Sequence, residues 1–370
     1  MLAVTLNQLR FEYDIHSLVK AFYPAETVKV FQEGTKDLVS DGDNPEIAVI
    51  FEENRIRIQV DGSEGQTDLS RPEEKNVVKN ELKQLLYRML SAKTGKELPW
   101  GSLTGIRPAK IAMQLLEEGK TQEEIRSYME QTYYCSQEKA DLAIGIACRE
   151  KEILKDIHYE QGYSLYVGIP FCPTTCLYCS FTSFPITVWR ERVEEYLGAL
   201  EKEMDFVQEA FRDKVLDSVY IGGGTPTTLE PDQLRRLLSR LRETFDFSRV
   251  KEFTVEAGRA DSITADKLRV LKEFGVTRIS VNPQTMNQKT LDLIGRRHTV
   301  EQVKEAFALA RQEGFDNINM DLILGLPGED LPEVQHTMEE IRKLSPDSLT
   351  VHSLAVKKAS RMMQWIEKNG

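Results

Sequence analysis

The sequence predicts an α/β protein, an open three-quarter (β/α)6 barrel preceded by a small α+β domain. From residue 165 onwards, apolar runs alternate with amphipathic helical patterns at intervals of roughly 30 residues, which is typical of parallel βα units. Six apolar runs are present, fewer than the eight strands that close a (β/α)8 barrel, so the barrel is expected to stay open. The strands are expected near residues 165–171, 217–222, 252–257, 278–283, 317–324 and 348–354, and the helices near 188–212, 231–244, 264–274, 300–313 and 330–343.

The chain before this repeat follows a different pattern. Two apolar runs, 47–51 and 55–60, are joined by three polar residues and predict a β-hairpin. Helical spacing follows at 73–93 and again near 109–118, 121–133 and 136–157. The loop at 98–108 is dense in Gly and Pro, and we expect it to be ordered and structural. We therefore divide the chain into an α+β accessory domain at 1–155, with no assigned role, and a barrel domain at 160–370.

Composition excludes several classes of partner. The chain has 370 residues and a formal net charge of −11, which disfavours binding to nucleic acid or to an anionic membrane surface. No apolar run reaches membrane-spanning length, and the first residues lack the pattern of a secretory signal. Five cysteines, an odd number without an export signal, indicate a reducing compartment. We expect a cytoplasmic protein with small-molecule ligands.

Three of the cysteines stand close together after the first barrel strand. Cys172, Cys176 and Cys179 form a C-x3-C-x2-C pattern. Three thiolates on one loop can hold three irons of a [4Fe–4S] cluster, and the absence of a fourth nearby cysteine leaves one iron open to a small molecule. Structural zinc is the weaker alternative, because it needs four ligands and Cys148 and His158 do not form a second pair.

Polar residues follow or end several of the predicted strands. Ligands of parallel βα folds bind at the carboxyl ends of the strands, so these residues are candidates for a binding site. The Gly222–Thr225 run after the second strand is either a tight turn or a ligand loop. Glu256 closes the third strand, Gln284 follows the fourth and Asp321 lies within the fifth. Each carboxylate either contacts a ligand or pairs inside the barrel, since an unpaired buried carboxylate is costly.

Further candidates lie beside these strand ends. Arg296 can bind a carboxylate with two parallel hydrogen bonds, whereas His298 is expected to be structural or on the surface. Tyr166 lies before the three cysteines and Tyr178 between the second and third of them, and both are either ligand contacts or core aromatic residues. His352, near the end of the sixth strand, is expected to be a core histidine.

The cysteine pattern, with an aromatic residue before its last cysteine, resembles that of the radical S-adenosylmethionine (SAM) enzymes. The string from Tyr166 to Cys172, Tyr-Val-Gly-Ile-Pro-Phe-Cys, is similar to the oxygen-independent coproporphyrinogen III oxidase branch with its haem-chaperone relatives, and the resemblance covers residues 160–358. It implies a (β/α)6 barrel, a [4Fe–4S] cluster held by the three cysteines, and one or two molecules of SAM. The SAM contacts that it implies are Tyr166, Tyr178, Gly223, Gly224, Thr225, Glu256, Gln284, Arg296, Asp321 and Ala355, of which Gly224, Thr225, Gln284, Arg296 and Asp321 match the family's second SAM site.

The resemblance also implies an activity. A radical derived from SAM removes hydrogen from a propionate of coproporphyrinogen III, and loss of CO2 and an electron leaves a vinyl group, giving protoporphyrinogen IX for haem biosynthesis. An electron donor such as a flavodoxin or ferredoxin is expected.

Two positions depart from the well-studied branch. Phe181 stands where that branch has a further cysteine, and Gly168 stands where it has a histidine. A haem chaperone, which also lacks that cysteine, and a radical SAM enzyme with another substrate therefore remain alternatives. The Leu-Thr-Gly-Ile-Arg-Pro segment at 103–108 and the long N-terminal part favour a dehydrogenase of the Gram-positive type. Since family members usually continue past the sixth strand, a missing C-terminal region is expected.

Overall fold

A computed structural model describes residues 1–33, 46–105, 107–357 and 360–369 of the chain. The chain forms two compact units, Met1–Asp156 and Ile157–Gly370. The first unit combines a mixed sheet with helices, and the second is built of parallel βα repeats. No described helix is both long enough and apolar enough to cross a membrane.

The first unit contains a five-stranded sheet in the order β2-β1-β3-β4-β5. Its strands are β1 (Leu2–Leu6), β2 (Val28–Gln32), β3 (Ile47–Phe51), β4 (Arg55–Val60) and β5 (Ser63–Asp68). The predicted hairpin is present, because β3 and β4 pair antiparallel, while β1 pairs parallel with both β2 and β3. Helices α1 (Glu12–Phe22) and α2 (Lys75–Thr94) share a core with the sheet, which includes Leu6, Leu18, Ile58 and Leu86.

Three further helices of the first unit form a separate small core. They are α3 (Pro108–Glu117), α4 (Gln122–Tyr133) and α5 (Gln137–Leu154). The start of α4 is fixed by a capping box, in which Thr121 Oγ1 accepts from Glu124 N and Glu124 Oε2 accepts from Thr121 N. Such a cap contributes about 1 kcal/mol. Small residues at the contact, among them Ala112, Ala143 and Ala147, let the helices approach closely.

The second unit is a curled sheet of six parallel strands in the order β13-β12-β11-β10-β9-β6, which confirms the predicted open (β/α)6 barrel. The strands are β6 (Gly162–Ile169), β9 (Val215–Gly223), β10 (Glu252–Gly258), β11 (Arg278–Val281), β12 (Ile318–Leu324) and β13 (Ser348–Ser353). Two very short strands, β7 (Phe171–Cys172) and β8 (Phe184–Pro185), pair with each other at the two ends of the cysteine loop. The helices are α6 (Ile186–Trp189), α7 (Val193–Ala210), α8 (Pro231–Thr244), α9 (Ala265–Glu273), α10 (Gln288–Leu293), α11 (Val300–Gln312), α12 (Leu331–Leu344) and α13 (Arg361–Asn369).

Side chains alternate between two faces along the central barrel strands β10, β11 and β12. On β10, Phe253, Val255 and Ala257 are buried in the core between sheet and helices, while Thr254 and Glu256 line an interior cleft. The same alternation holds on β11 and β12, because successive residues of a strand point to opposite faces of the sheet. One set of alternate strand positions therefore packs the core between sheet and helices, and the other set lines the cleft.

Several small elements carry no signal in the sequence. The strands β7 and β8 have two residues each, and α10 has six, which is too short for a periodic pattern. Strand β5 reads Ser-Glu-Gly-Gln-Thr-Asp and lacks apolar alternation, because it lies at the edge of its sheet and is largely exposed.

Candidate functional site

A cleft of about 760 Å³ lies inside the barrel unit. Its walls come from the cysteine loop and from the carboxyl-terminal ends of the barrel strands. All the residues for which the sequence predicts cluster or SAM contacts line it, namely Cys172, Cys176, Cys179, Tyr166, Tyr178, Gly223, Gly224, Thr225, Glu256, Gln284, Arg296, Asp321 and Ala355. The fold thus brings together candidates that are spread over most of the unit's sequence.

The cysteine loop begins where β6 ends. Its two ends are joined by the β7–β8 pair, and Phe184 N donates to Pro170 O at 2.8 Å. Cys172 and Cys176 are buried and Cys179 is half-buried, and all three are free thiols. Burial raises the pKa of the Cys179 thiol, and the nearby sulfurs of Cys176 and Cys172 raise it further. A cationic metal centre would reverse this penalty by stabilising the thiolates.

The Gly222–Thr225 run packs directly against the cysteine loop. Gly224 N donates to Ile169 O and Thr225 N donates to Phe171 O, both at 2.7 Å. A Cβ atom on Gly224 would lie 2.6 Å from Phe171 O, so no larger residue fits there without displacing the loop. The run therefore supports the cysteine loop by close packing and backbone hydrogen bonds. Thr225 Oγ1 lies 3.5 Å from Cys172 Sγ.

One wall of the cleft consists of two tyrosines and a carboxylate. Tyr166 stacks on Tyr220 with ring centroids 5.9 Å apart, and 60% of Tyr166 remains exposed. Tyr220 OH donates a hydrogen bond to Glu256 Oε1. Burial raises the pKa of Glu256, the Tyr220 hydrogen bond opposes the rise, and the negative charge of Asp321 adds to it. Tyr220 was not among the predicted site residues, although it precedes Gly222 by two positions on the same face of β9.

Gln284 has a backbone conformation that side-chain-bearing residues rarely adopt, with φ of 69°. Strand β12 holds it there, because Gln284 N donates to Asp321 O and Ile323 N donates to Gln284 O, each at 2.9 Å. The side-chain oxygens of Gln284 and of its neighbour Asn282 are buried and have no hydrogen-bond partner among the described residues. Unpaired buried acceptors at a cleft wall suit a ligand that donates hydrogen bonds. Asn282 is a second lining residue that the sequence did not single out.

Arg296 connects this wall to the cysteine loop. It is buried, its Nη1 donates to Asn282 O, and its Nη2 lies 3.3 Å from Tyr178 OH. Burial raises the pKa of Tyr178, and the positive charge of Arg296 opposes the rise. Tyr178 therefore stays a neutral phenol beside a permanent cation.

Asp321 lies in a polar row inside the barrel. Asn319 Nδ2 donates to Asp321 Oδ1 at 2.6 Å, and Asn319 Oδ1 accepts from Ser348 Oγ and Thr350 Oγ1 at 2.9 and 3.2 Å. The structure thus gives Asp321 an amide donor, and no ion pair to it is found among the described residues. At the other side of the cleft, the prediction for His352 is wrong, because it lies exposed on the edge strand β13.

The donor set fits the two cofactors that the motif implies. The three thiols share one loop beside a cleft of a size that small-molecule sites commonly have. The carboxylate of Glu256 and the free amide oxygens can accept from an ammonium or hydroxyl group, and Arg296 offers a cation. Within the described residues, no three His, Cys, Asp or Glu side chains are placed to share one metal ion.

Comparison with known proteins identifies the class. Residues 166–341 match the model of the radical SAM superfamily. The chain therefore carries a radical SAM domain over this segment.

Three similar proteins indicate which radical SAM proteins the chain resembles. The chain is 41% identical over 299 residues to the oxygen-independent coproporphyrinogen-III oxidase-like protein HemZ of Bacillus subtilis, which covers 80% of this chain and 60% of that protein. It is 40% identical over 194 residues to the heme chaperone HemW of the same organism, covering 52% of this chain and 50% of HemW. It is 34% identical over 196 residues to the oxygen-independent coproporphyrinogen III oxidase of Escherichia coli, covering 53% of this chain and 42% of that enzyme.

These matches have two consequences for the chain as a whole. The chain spans between about half and three fifths of the length of HemW and HemZ. The HemZ match, at 299 residues, is longer than the unit Ile157–Gly370, so the likeness extends into the first unit.

Among solved structures, coproporphyrinogen III oxidase HemN from Escherichia coli is similar with 28% identity and a TM-score of 0.49, covering 59% of this chain and 55% of that one.

Proposed function

We propose that this protein is a radical SAM oxidoreductase that decarboxylates propionate side chains of coproporphyrinogen III to vinyl groups without oxygen. The product would be protoporphyrinogen IX, an intermediate of haem biosynthesis. The observation that carries the proposal is the convergence of the three cysteines, the glycine run and the predicted SAM contacts on one cleft. Cys172, Cys176 and Cys179 are the cluster ligands in this proposal, and a SAM molecule occupies the adjoining cleft.

The roles of the side chains follow from their chemistry. When bound, the cluster and SAM supply one-electron cleavage of a carbon–sulfur bond and thus a carbon radical. The Gly222–Thr225 run holds the cysteine loop, and Tyr166 presents an exposed ring to a flat ligand. Glu256 and the amide oxygen of Gln284 accept hydrogen bonds from the ligand, while Arg296 binds a carboxylate. A second SAM molecule, using Gly224, Thr225, Gln284, Arg296 and Asp321, is part of the same proposal.

The cations of the cleft support a substrate that carries carboxylates. Arg259 is buried and committed to protein partners, and the buried Arg296 is already assigned to the carboxylate of SAM. A quarter of the Arg278 side chain is exposed. Its Nη2 donates to Ser348 Oγ at 3.0 Å, and its Nη1 lies 3.7 Å from Glu252. Lys357 is exposed on the same cleft. Arg278 and Lys357 are therefore the cations available to an anionic substrate, which the net charge of −11 would otherwise repel.

A haem-binding role is the second candidate function. The identity to the heme chaperone HemW is 40% over 194 residues, and the identity to HemZ is 41% over 299 residues. His352 is exposed on the cleft, and a histidine is a common axial ligand of haem iron. Phe181, which also lines the cleft, is 79% exposed and offers an apolar surface to a macrocycle.

The proposal also covers the electron donor and the cellular compartment. An electron donor such as a flavodoxin or ferredoxin reduces the cluster, and neither nucleic acid nor membrane takes part. All five cysteines are free thiols in the described structure, which suits the reducing cytoplasm.

The test is an anaerobic assay of the reconstituted protein with coproporphyrinogen III, SAM and a reductant. The proposal predicts release of CO2 and 5′-deoxyadenosine with formation of vinyl groups. Deoxyadenosine without decarboxylation would point to another substrate. Stable haem binding without turnover would favour the chaperone, and zinc without iron would refute the cluster assignment.

A further inference from the structure

The cysteine loop is held by a largely buried ion pair that the cluster motif does not include. Arg259 follows β10 and only 3% of its side chain is exposed. Its Nε and Nη2 donate to the two carboxylate oxygens of Asp261 at 3.0 and 2.7 Å. This parallel pair fixes the plane of the guanidinium group and therefore the direction of its remaining Nη1.

The free end of the guanidinium points at the loop between the first two cysteines. Arg259 Nη1 donates to Thr174 Oγ1 at 2.6 Å and to Thr174 O at 3.1 Å. Thr174 Oγ1 itself donates to Gly295 O at 2.9 Å. Thr174 stands two residues after Cys172 and two before Cys176, so its position decides the spacing of these two thiols.

The same loop has a second anchor. Leu177 N donates to Ile294 O at 2.9 Å, which ties the segment between Cys176 and Cys179 to the end of α10. This contact is a single neutral backbone bond, whereas Arg259 contributes charge-assisted bonds from a side chain without water access. Loss of the Arg259 contact should therefore loosen the Cys172–Cys176 half of the loop more than the other half.

We propose that Arg259, oriented by Asp261, is a positioning residue that holds Cys172 and Cys176 at the spacing that the cluster requires. It acts through Thr174 and does not touch the sulfur atoms. The inference rests on the proposed cluster site, and it assigns a task to a residue outside the cysteine motif. Since the buried guanidinium is also a structural group, the test must separate cluster retention from the stability of the fold.

The experiment measures the rate at which anaerobically reconstituted protein releases iron to a ferrous chelator. Arg259→Gln should release iron about tenfold faster than wild type, because it loses charge-assisted hydrogen bonds to the loop. Arg259→Lys should give an intermediate rate, because an ammonium group keeps the charge but cannot hold Asp261 and Thr174 together. Thr174→Val removes only the hydroxyl and should speed release about threefold, which tests the inference even if an Arg259 variant folds poorly.

A double variant shows whether the two residues act through one contact. Arg259→Gln combined with Thr174→Val should release iron more slowly than the product of the two single effects, because in the absence of Arg259 the second change removes only the Thr174–Gly295 hydrogen bond. The matched control is Arg269→Gln. Arg269 also donates to a carboxylate through two nitrogens, with distances of 2.9 and 3.1 Å to Glu313, but it lies exposed on α9. Its iron release should equal that of wild type.

The inference is overturned if Arg259→Gln lowers the melting temperature of the metal-free protein without changing iron release. It is overturned equally if the effects of Arg259→Gln and Thr174→Val multiply. Absence of porphyrinogen turnover, with the expected order of release rates, would refute the proposed substrate but not the positioning role of Arg259. Wild-type protein that holds no iron and sulfide would refute both.

Discussion

Gly224 lies so close to Cys172 that a Cβ atom at position 224 would come within 3.0 Å of the Cys172 sulfur. The glycine run at the end of β9 and the cysteine loop after β6 are thus packed together, since Thr225 N donates to Phe171 O in the loop and Gly224 N donates to Ile169 O at the end of β6. A sequence comparison would assign the glycines to ligand contact. The structure adds a requirement that exists before any ligand binds, because the loop has no space for a side chain there.

Gly224→Ala should therefore impair cluster assembly. The added methyl must displace Phe171 O, 2.6 Å away, at a cost of about 1–3 kcal/mol in the free energy of unfolding. We expect lower iron content after reconstitution and a lower melting temperature of the metal-free protein. Gly168→Ala is the control, since its Cβ would meet only Tyr166, at 3.5 Å. Equal iron content in the two variants would show that the close approach is unimportant.

Cys176→Ser should abolish the brown absorbance of a four-iron cluster. Cys148→Ser, in helix α5 of the first unit, should retain it. The reason is that a serine hydroxyl at neutral pH is a poor iron ligand, while Cys148 lies outside the loop. Iron and sulfide determination on both proteins provides the measurement. A full cluster in Cys176→Ser would contradict the ligand assignment.

Glu256→Gln should change how stability depends on pH. Burial raises the pKa of Glu256 in the folded state above that of the unfolded chain. Below the unfolded pKa both states carry the proton, and as pH rises towards the folded pKa the unfolded state ionises first, which destabilises the fold. Each unit of elevation is worth about 1.4 kcal/mol, so the variant should be the more stable protein at pH 7 but not at pH 4.

Denaturant unfolding of the metal-free protein across this pH range measures the effect of Glu256→Gln. Glu252→Gln, on the same strand but half-exposed, serves as the control and should follow wild type. A difference between Glu256→Gln and wild type that is the same at both ends of the range would contradict the assigned pKa direction.

Lys83→Met should reveal the opposite dependence in the first unit. Burial lowers the pKa of Lys83 to about 8, and its Nζ donates to Thr104 Oγ1 at 2.9 Å. The folded state disfavours the charge, so wild-type stability should fall as pH drops from about 10 towards 8 and stay low below it. Lys83→Met should show no such fall. Parallel pH curves for the two proteins would exclude a buried, destabilised ammonium group.

Arg278→Gln tests the carboxylate recognition in the proposed function. Loss of one cation from the cleft should raise KM for coproporphyrinogen III about tenfold, since a charge-assisted hydrogen bond is worth about 1.5–3 kcal/mol. SAM cleavage without substrate should be unaffected. Arg235→Gln is the control, because Arg235 pairs with Glu273 on the helical surface of the barrel. An unchanged KM would remove Arg278 from substrate binding.

Much of this architecture can be predicted from the sequence because the signals are local. The six barrel strands are apolar runs with polar residues at their ends, and the cysteine spacing is a short motif. Tyr220, Asn282 and Arg259 escape notice because their importance depends on which face of a strand or turn meets the cleft. His352 was misread for a related reason, since the sequence does not reveal that β13 is the edge of the sheet.

The role of the glycine run and the presence of strand β5 in the first unit also could not be predicted from the sequence. Whether Gly224 forms a turn or approaches a ligand cannot be decided without the path of the cysteine loop, which follows β6, a strand far away in the sequence but paired with β9 in the sheet. In the first unit, β5 is polar and exposed, so it joins the sheet through backbone pairing with β4 that leaves no apolar pattern.

The most direct test of the account is the electron paramagnetic resonance spectrum of the reduced, anaerobically reconstituted protein, recorded with and without SAM. A cluster with one open iron beside the cleft should give the signal of a reduced [4Fe–4S] centre whose shape changes when SAM is added. A protein that shows no such signal, or a signal that SAM leaves unchanged, would contradict the central claim.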